Sequence, residues 1–160
     1  MERVLLNGKL FLFSPVAPYI LQLDTGTLNV VHRIPIDFLN GPAAFFPPPI
    51  TEENLQNGGD LVSKPSIAGL AYDTSSGYYV VAVLHEVPID TPEGENHLDR
   101  PWSLIVLDQT FTKVAEHIIP GKLYRPNHLL STTAGVYVHR NIPGRAGVVG
   151  PKTFHRIILP

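Results

Sequence analysis

"IVLDQTFTKVAEHIIPG", residues 105 to 121, holds two β-rich runs around a turn, and its pattern occurs earlier in the same chain. Set over it, "LQLDTGTLNVVHRIPI" (21 to 36) places Leu23-Asp24 on Leu107-Asp108, and Val30 to Pro35 on Val114 to Pro120 with one residue inserted. Self-similarity at a fixed spacing is the mark of a repeat architecture. Working outward, a glycine followed by a β-rich run occurs three times: "GKLFLF" from Gly8, "GYYVVAV" from Gly77 and "GVYVHR" from Gly135. Each follows an apolar run, "RVLL", "IAGLAYD" and "HLLS", and each precedes a third, "YILQLD", "WSLIVLD" and "FHRIIL".

The unit is therefore four short strands joined by turn chemistry, which describes a propeller blade of roughly 40 to 50 residues. The expectation is an all-β, propeller-like single domain over 1 to 160, with about three four-stranded antiparallel blades. The blades fall near 3 to 35, 66 to 120 and 127 to 160, with a long loop at 37 to 65 and the last blade lacking its fourth strand. β-branched and aromatic residues fill the runs, and Asp24-Thr-Gly and Asp73-Thr-Ser-Ser-Gly supply reversals. No sustained helical period appears, although "TEENLQNGG" (51 to 59) has room for one turn opened by Thr51.

Composition agrees and excludes several classes. The chain has 160 residues, 44% of them hydrophobic, so it can bury an ordinary core. Its 16 prolines and 13 glycines favour many short elements. A net charge of -2, with no long run of Lys or Arg, gives no footprint for nucleic acid. No cysteine means no disulfide and no thiol nucleophile. No stretch approaches the ~18 apolar residues of a membrane span, and none resembles a signal peptide, so the chain reads as soluble. Only 16% of residues are charged, against roughly 25% in an average domain, so part of the surface is expected to be covered.

A propeller closes with about four to eight blades. Three blades leave apolar faces at both ends, which calls for a longer chain, a second copy or a protein partner.

Across "SLIVLDQTFTKVAEHIIPGKLYRPNHLLSTTAGVYVHRN" (103 to 141) the chain resembles the C-terminal part of a bacterial family of six-bladed propellers of unknown function, usually exported as lipoproteins and of TolB/NHL-like grammar. The residues that carry the resemblance are Leu107-Asp108, Phe111, Val114 to Glu116, Pro120-Gly121 and Thr132 to Val138. The resemblance implies a half-propeller and a periplasmic or cell-surface location. It carries over no catalytic residue, and the family's greater length and lipobox cysteine are not in this sequence.

Blade topology places one set of connections on each face of the disc. The strand A-to-B and C-to-D turns are short, whereas the long insertions all fall on the other face, where binding groups usually sit. There, "HEVPIDTPEGENHLDRPW" (85 to 102) gathers His85, Glu86, Asp90, Glu93, Glu95, His97, Asp99, Arg100 and Trp102. Carboxylates with histidine suit a divalent metal or a polar ligand; the plainer reading is a solvated acidic loop, because no ligand spacing is diagnostic. "YRPNHLL" (124 to 130) brings Arg125, Asn127 and His128 toward the channel mouth, joined by Arg140 and Asn141. These either bind a ligand or, as the plainer and preferred reading, cap a turn and pair with a loop carboxylate.

"FLNGPAAFFPPPI" (38 to 50) reads as a partner or lid segment, or as a cover over the incomplete edge. "GRAGVVG" (144 to 150) lacks the helix of a phosphate cradle. Glu116-His117 lies in the outermost strand with its side chains on opposite faces, which points away from a paired active site. The leading expectation is a non-enzymatic binding module with no cofactor. The alternatives are a metal-dependent propeller hydrolase or lactonase, using Glu86, His97, Asp99 and Asn127, and a structural subunit of an assembly.

Overall fold

A computed structural model describes residues 2–14, 17–37, 64–87, 99–141 and 152–160. Within them, eleven strands form three antiparallel sheets, each a simple meander. Sheet 1 contains β1 (Glu2–Leu6), β2 (Lys9–Phe13), β3 (Tyr19–Leu23) and β4 (Val30–Pro35). Sheet 2 contains β5 (Ser66–Tyr72), β6 (Tyr79–Leu84), β7 (Trp102–Leu107) and β8 (Lys113–Ile119). Sheet 3 contains β9 (Tyr124–Thr132), β10 (Gly135–Arg140) and β11 (Phe154–Arg156), with β10 central. Among the described residues the fold is all-β, an incomplete, propeller-like arrangement with no closed barrel. The segments 38–63, 88–98 and 142–151, with their Phe-Pro loop, helical-turn expectation and glycine run, lie outside the described residues.

Aspartates that follow strands β3, β5 and β7 build the turns. Asp24 Oδ1 accepts from the backbone N–H groups of Gly26 and Thr27 and from the Thr27 hydroxyl. Asp108 does the same with Thr110 and Thr112, and Asp73 with Ser75 and Ser76. A short acceptor side chain that satisfies the reversing backbone is why Asp recurs at these positions. The β1–β2 reversal at Asn7-Gly8 has positive φ at both residues, as a two-residue hairpin turn requires.

Sheet 2 is the middle layer, apolar on both faces because each face meets another sheet. Along β6, Tyr79, Val81 and Val83 pack with Phe11, Phe13 and Ile20 of sheet 1. The alternate residues Val80, Ala82 and Leu84 pack with Val136 and Val138 of sheet 3. Strand β7 divides likewise, with Ile105 and Leu107 toward sheet 1 and Trp102, Leu104 and Val106 toward sheet 3. Burying one such aliphatic side chain contributes roughly 1.5–3 kcal/mol, so this double-sided layer dominates the stability. Phe111 follows the Asp108 turn at φ +65 and sets its ring against Phe11, Tyr79 and His32.

Sheets 2 and 3 are stitched where their first strands run together. The Tyr72 N–H donates to Ser131 Oγ at 2.9 Å. Further along, Gly69 faces the Pro126 carbonyl so closely that a Cβ would stand 2.8 Å from that oxygen.

Candidate functional site: a cleft among the first strands

The first strands of the three sheets, β1, β5 and β9, converge around a cleft of about 560 Å³. Val4, Phe13, Ile67, Leu70, Leu84 and Leu129 give it an apolar lining, while Glu2, Arg3, Ser66, Asn127 and His128 supply polar groups. Two irregularities open it. In β5 the register slips between Ile67 and Gly69, leaving Ala68 unpaired. In β9 the pairing with β10 jumps from Val138↔Leu129 to His139↔Arg125. Pro126, Asn127 and His128 are thereby expelled from the ladder, and all three line the cleft. Proline has no N–H to lose there, and bulges characteristically re-aim side chains beside functional sites.

The bulge brings His128 against His139, with the two Nδ1 atoms 3.4 Å apart. On the β11 side, the Phe154 ring lies tilted against His139 with centroids 5.2 Å apart. Both imidazoles are held below the ordinary histidine value. Burial is the first cause in each, and the cations Lys152 and Arg125 add to it. Arg125 is half-buried, and its Nε has no hydrogen-bond partner among the described residues. Nearby, the Tyr124 hydroxyl meets His155 Nδ1 at 3.0 Å.

A second polar cluster lies between sheets 1 and 2. His85 Nε2 is 2.8 Å from Ser103 Oγ, and the Ser103 hydroxyl donates to Glu116 Oε1 at 2.7 Å. Because that single hydroxyl hydrogen is used on Glu116, His85 Nε2–H is the donor to Ser103, which assigns the tautomer. Glu116 Oε2 pairs with Lys113 at 3.1 Å, and Lys113 also reaches the Asp37 carbonyl. Burial lowers the His85 value, opposed by Glu116 and reinforced by Arg100. Arg100 is buried, donates to the carbonyls of His85 and Lys64, and is itself lowered to about 10, first by desolvation. Ser103 is wholly buried and has its proton on a carboxylate, so the cluster fastens strands together and is not a nucleophile with its base.

The residues singled out in the sequence thus separate. His85 and Arg100 belong to the buried cluster. Glu86 is exposed and pairs with Lys64. Asp99 lends its backbone carbonyl to a close contact with Gly121, where no Cβ has room. Trp102 is fully buried between sheets 2 and 3, with no partner for Nε1 among the described residues. Asn127 and His128 line the cleft and Arg125 adjoins it, whereas Arg140 is exposed and donates its backbone N–H to Thr153. His97, Asp90, Glu93 and Glu95 lie outside the described residues. Among the described residues, no three His, Asp or Glu groups come together as a metal-binding set.

Sequence reasoning missed His139, Lys152 and Ser103, and it set Glu116 aside as a residue of the outermost strand, whereas Glu116 accepts from Ser103. A signal for His139 was present: counting back from the pair Thr132↔Gly135 sets His139 against His128.

No protein-family model matches the chain, and no curated protein matches it. The fold is similar to that of a solved member of the DUF4221 family from Bacteroides vulgatus, with a TM-score of 0.59 and 14% sequence identity. The likeness covers 82% of this chain and 36% of that one, so the chain spans about a third of its neighbour's length. At this identity the likeness is one of fold.

Proposed function

We propose that the chain is a non-enzymatic binding module of a propeller, taking a small ligand into the cleft where β1, β5 and β9 converge. The observation that carries this is the cleft itself: about 560 Å³, with a mixed polar and apolar lining, and with Asn127 and His128 set into it by a bulge. Clefts of this size that combine apolar walls with converging polar groups are a usual form of ligand site. The test is methyl NMR of the full chain with a set of acidic, basic and neutral small molecules. Binders should move the methyl signals of Ile67, Leu70, Leu84 and Leu129 saturably, and Ala68→Trp should abolish the effect. If every binder maps elsewhere, or none moves these methyls, the reading fails.

A second reading concerns a partner. Register and alternation direct Leu5, Leu10, Leu12 and Leu21 of sheet 1 away from sheet 2, and Leu5 is 65% exposed. Sheets in this chain stack face to face, and the outward face of sheet 3 offers Leu130 and Tyr137 in register. The occupant that continues the stack is sheet 3 of a second copy. Sedimentation at high micromolar concentration should then show a dimer that Leu12→Glu dissociates; a monomer throughout would overturn it.

A further inference from the structure

Two imidazole nitrogens facing each other at 3.4 Å are an unusual pairing, and two kinds of guest fit between them. A tetrahedral zinc ion, bound at about 2.0–2.1 Å from each nitrogen, spans such a gap. So does an oxyanion oxygen that accepts a charge-assisted hydrogen bond of about 2.7–2.9 Å from each N–H. Distance does not choose between them, but charge does.

We infer that His128 and His139, with Arg125 and Lys152 beside them, form an oxyanion-binding site at the rim of the cleft, taking the carboxylate or phosphate group of a ligand. Among the described residues, the charges that act on the two imidazoles are cationic: Lys152, Arg125 and, for His139, the protonated form of His128. A divalent cation placed there meets the same repulsion as a proton. An anion is attracted by Arg125 and Lys152, and by each imidazole once it is protonated. The buried Nε of Arg125 is an unspent donor in the same place, and among the described residues neither Arg125 nor Lys152 takes part in an ion pair. Among the described residues that line the cleft, the carboxylate is Glu2. The bulge at Pro126–His128 provides the geometry, because it turns His128 out of the ladder into the cleft while leaving it against His139.

The inference rests on the cleft being a binding site, for it supplies the anionic end of a ligand whose apolar body lies among Ile67, Leu70 and Leu129. It also has a sign. Protonation of His128 and His139 adds charge, against Arg125 and Lys152 and with Glu2 and Arg3 at the wall, so anion binding strengthens as pH falls. Metal binding to the same nitrogens weakens, because protons compete for them.

The experiment is imidazole ¹⁵N NMR of the full chain titrated separately with inorganic phosphate, acetate, neutral acetamide and zinc. Phosphate or acetate should shift the His128 and His139 signals saturably, and more tightly at pH 5.5 than at pH 7.5; whichever binds better identifies the anionic group. Acetamide should leave the signals in place. Lys152→Gln, at an exposed position, should weaken the effect several-fold without loss of fold, and Arg125→Gln should weaken it further. Unmoved imidazoles with both anions, or zinc binding that tightens as pH rises while anions do nothing, overturn the proposal. If neutral compounds still move the cleft methyls while anions leave the imidazoles unmoved, this inference falls alone. Anions that move the imidazoles when no compound moves the methyls sink the small-ligand reading instead.

Discussion

The Ser103 hydroxyl donates to the Glu116 carboxylate at 2.7 Å, a diagonal pair across β7 and β8 that ties an edge strand to the inside of the molecule. Glu116→Ala leaves the buried Ser103 hydroxyl without the acceptor for its hydrogen. Unsatisfied buried groups of this kind cost about 1–3 kcal/mol. Glu116→Gln keeps an acceptor for Ser103 and loses mainly the ion pair to Lys113, whose side chain is 35% exposed, so its loss should be under about 1 kcal/mol. Urea unfolding of the three proteins checks this; equal losses in both variants would mean that charge, not the hydroxyl link, matters.

Acid should destabilise the fold in two stages. His85, His128 and His139 all lie below 6.5 in the folded chain, chiefly through burial. The unfolded chain therefore takes up protons that the folded chain resists. The stability these groups contribute is full above about pH 6.5 and declines as pH falls toward their folded values. The second stage comes from Asp24, Asp73 and Asp108. Asp24 is held below 3.8 first by the Thr27 N–H, and Asp108 first by the Thr110 hydroxyl. For Asp73, burial opposes the lowering, and the bonds from Ser75 and Ser76 outweigh it. Their contribution is present above 3.8 and is lost below it. Unfolding free energies across this range should show both declines, and His85→Asn should flatten the first.

Gly69→Ala should distort the cleft and destabilise the protein by about 1–3 kcal/mol, the usual cost of forcing atoms into a filled space. The obstacle is the backbone carbonyl of Pro126, 2.8 Å from the new Cβ, and a backbone yields less readily than a side chain. Gly26→Ala is the control, because its Cβ meets Asp24 Oδ1 at an ordinary 3.4 Å. Its change should stay within about 0.5 kcal/mol. Thermal melts of the pair, with methyl spectra of Leu129, decide the matter.

Phe111 presents an unusual ordering. Its ring packs 5.1 Å from Tyr79 and 6.2 Å from Phe11, so Phe111→Ala should cost about 2–3 kcal/mol in lost packing. Glycine normally does worse than alanine, but φ here is +65, a conformation glycine adopts freely and alanine does not. Phe111→Gly should therefore be no less stable than Phe111→Ala by denaturant titration. A clear deficit for glycine would show that the turn relaxes when the ring is removed.

Much of the architecture was legible because its causes are local. The strand-ending aspartates foretell turns since Asp24, Asp73 and Asp108 need only their own next few residues to satisfy the backbone. The strands follow from runs of β-branched and aromatic residues, and the three-sheet grouping follows from the spacing of those runs. The site was legible only in part. Asn127 and His128 stood out as polar residues beside a strand, and they do reach the cleft. His85 and Arg100 stood out equally, yet they serve a buried cluster.

By itself, then, the sequence determined an all-β chain of about three four-stranded antiparallel units, with Asp at the reversals. Periodicity and turn chemistry act over a few residues and are written in order along the chain. Only the tertiary structure decided that Glu116, on an edge strand, turns inward to Ser103, and that a bulge carries His128 into a cleft against His139. Those outcomes depend on which sheet faces which and on where a ladder slips. Both are set by contacts between distant segments, which no local pattern records.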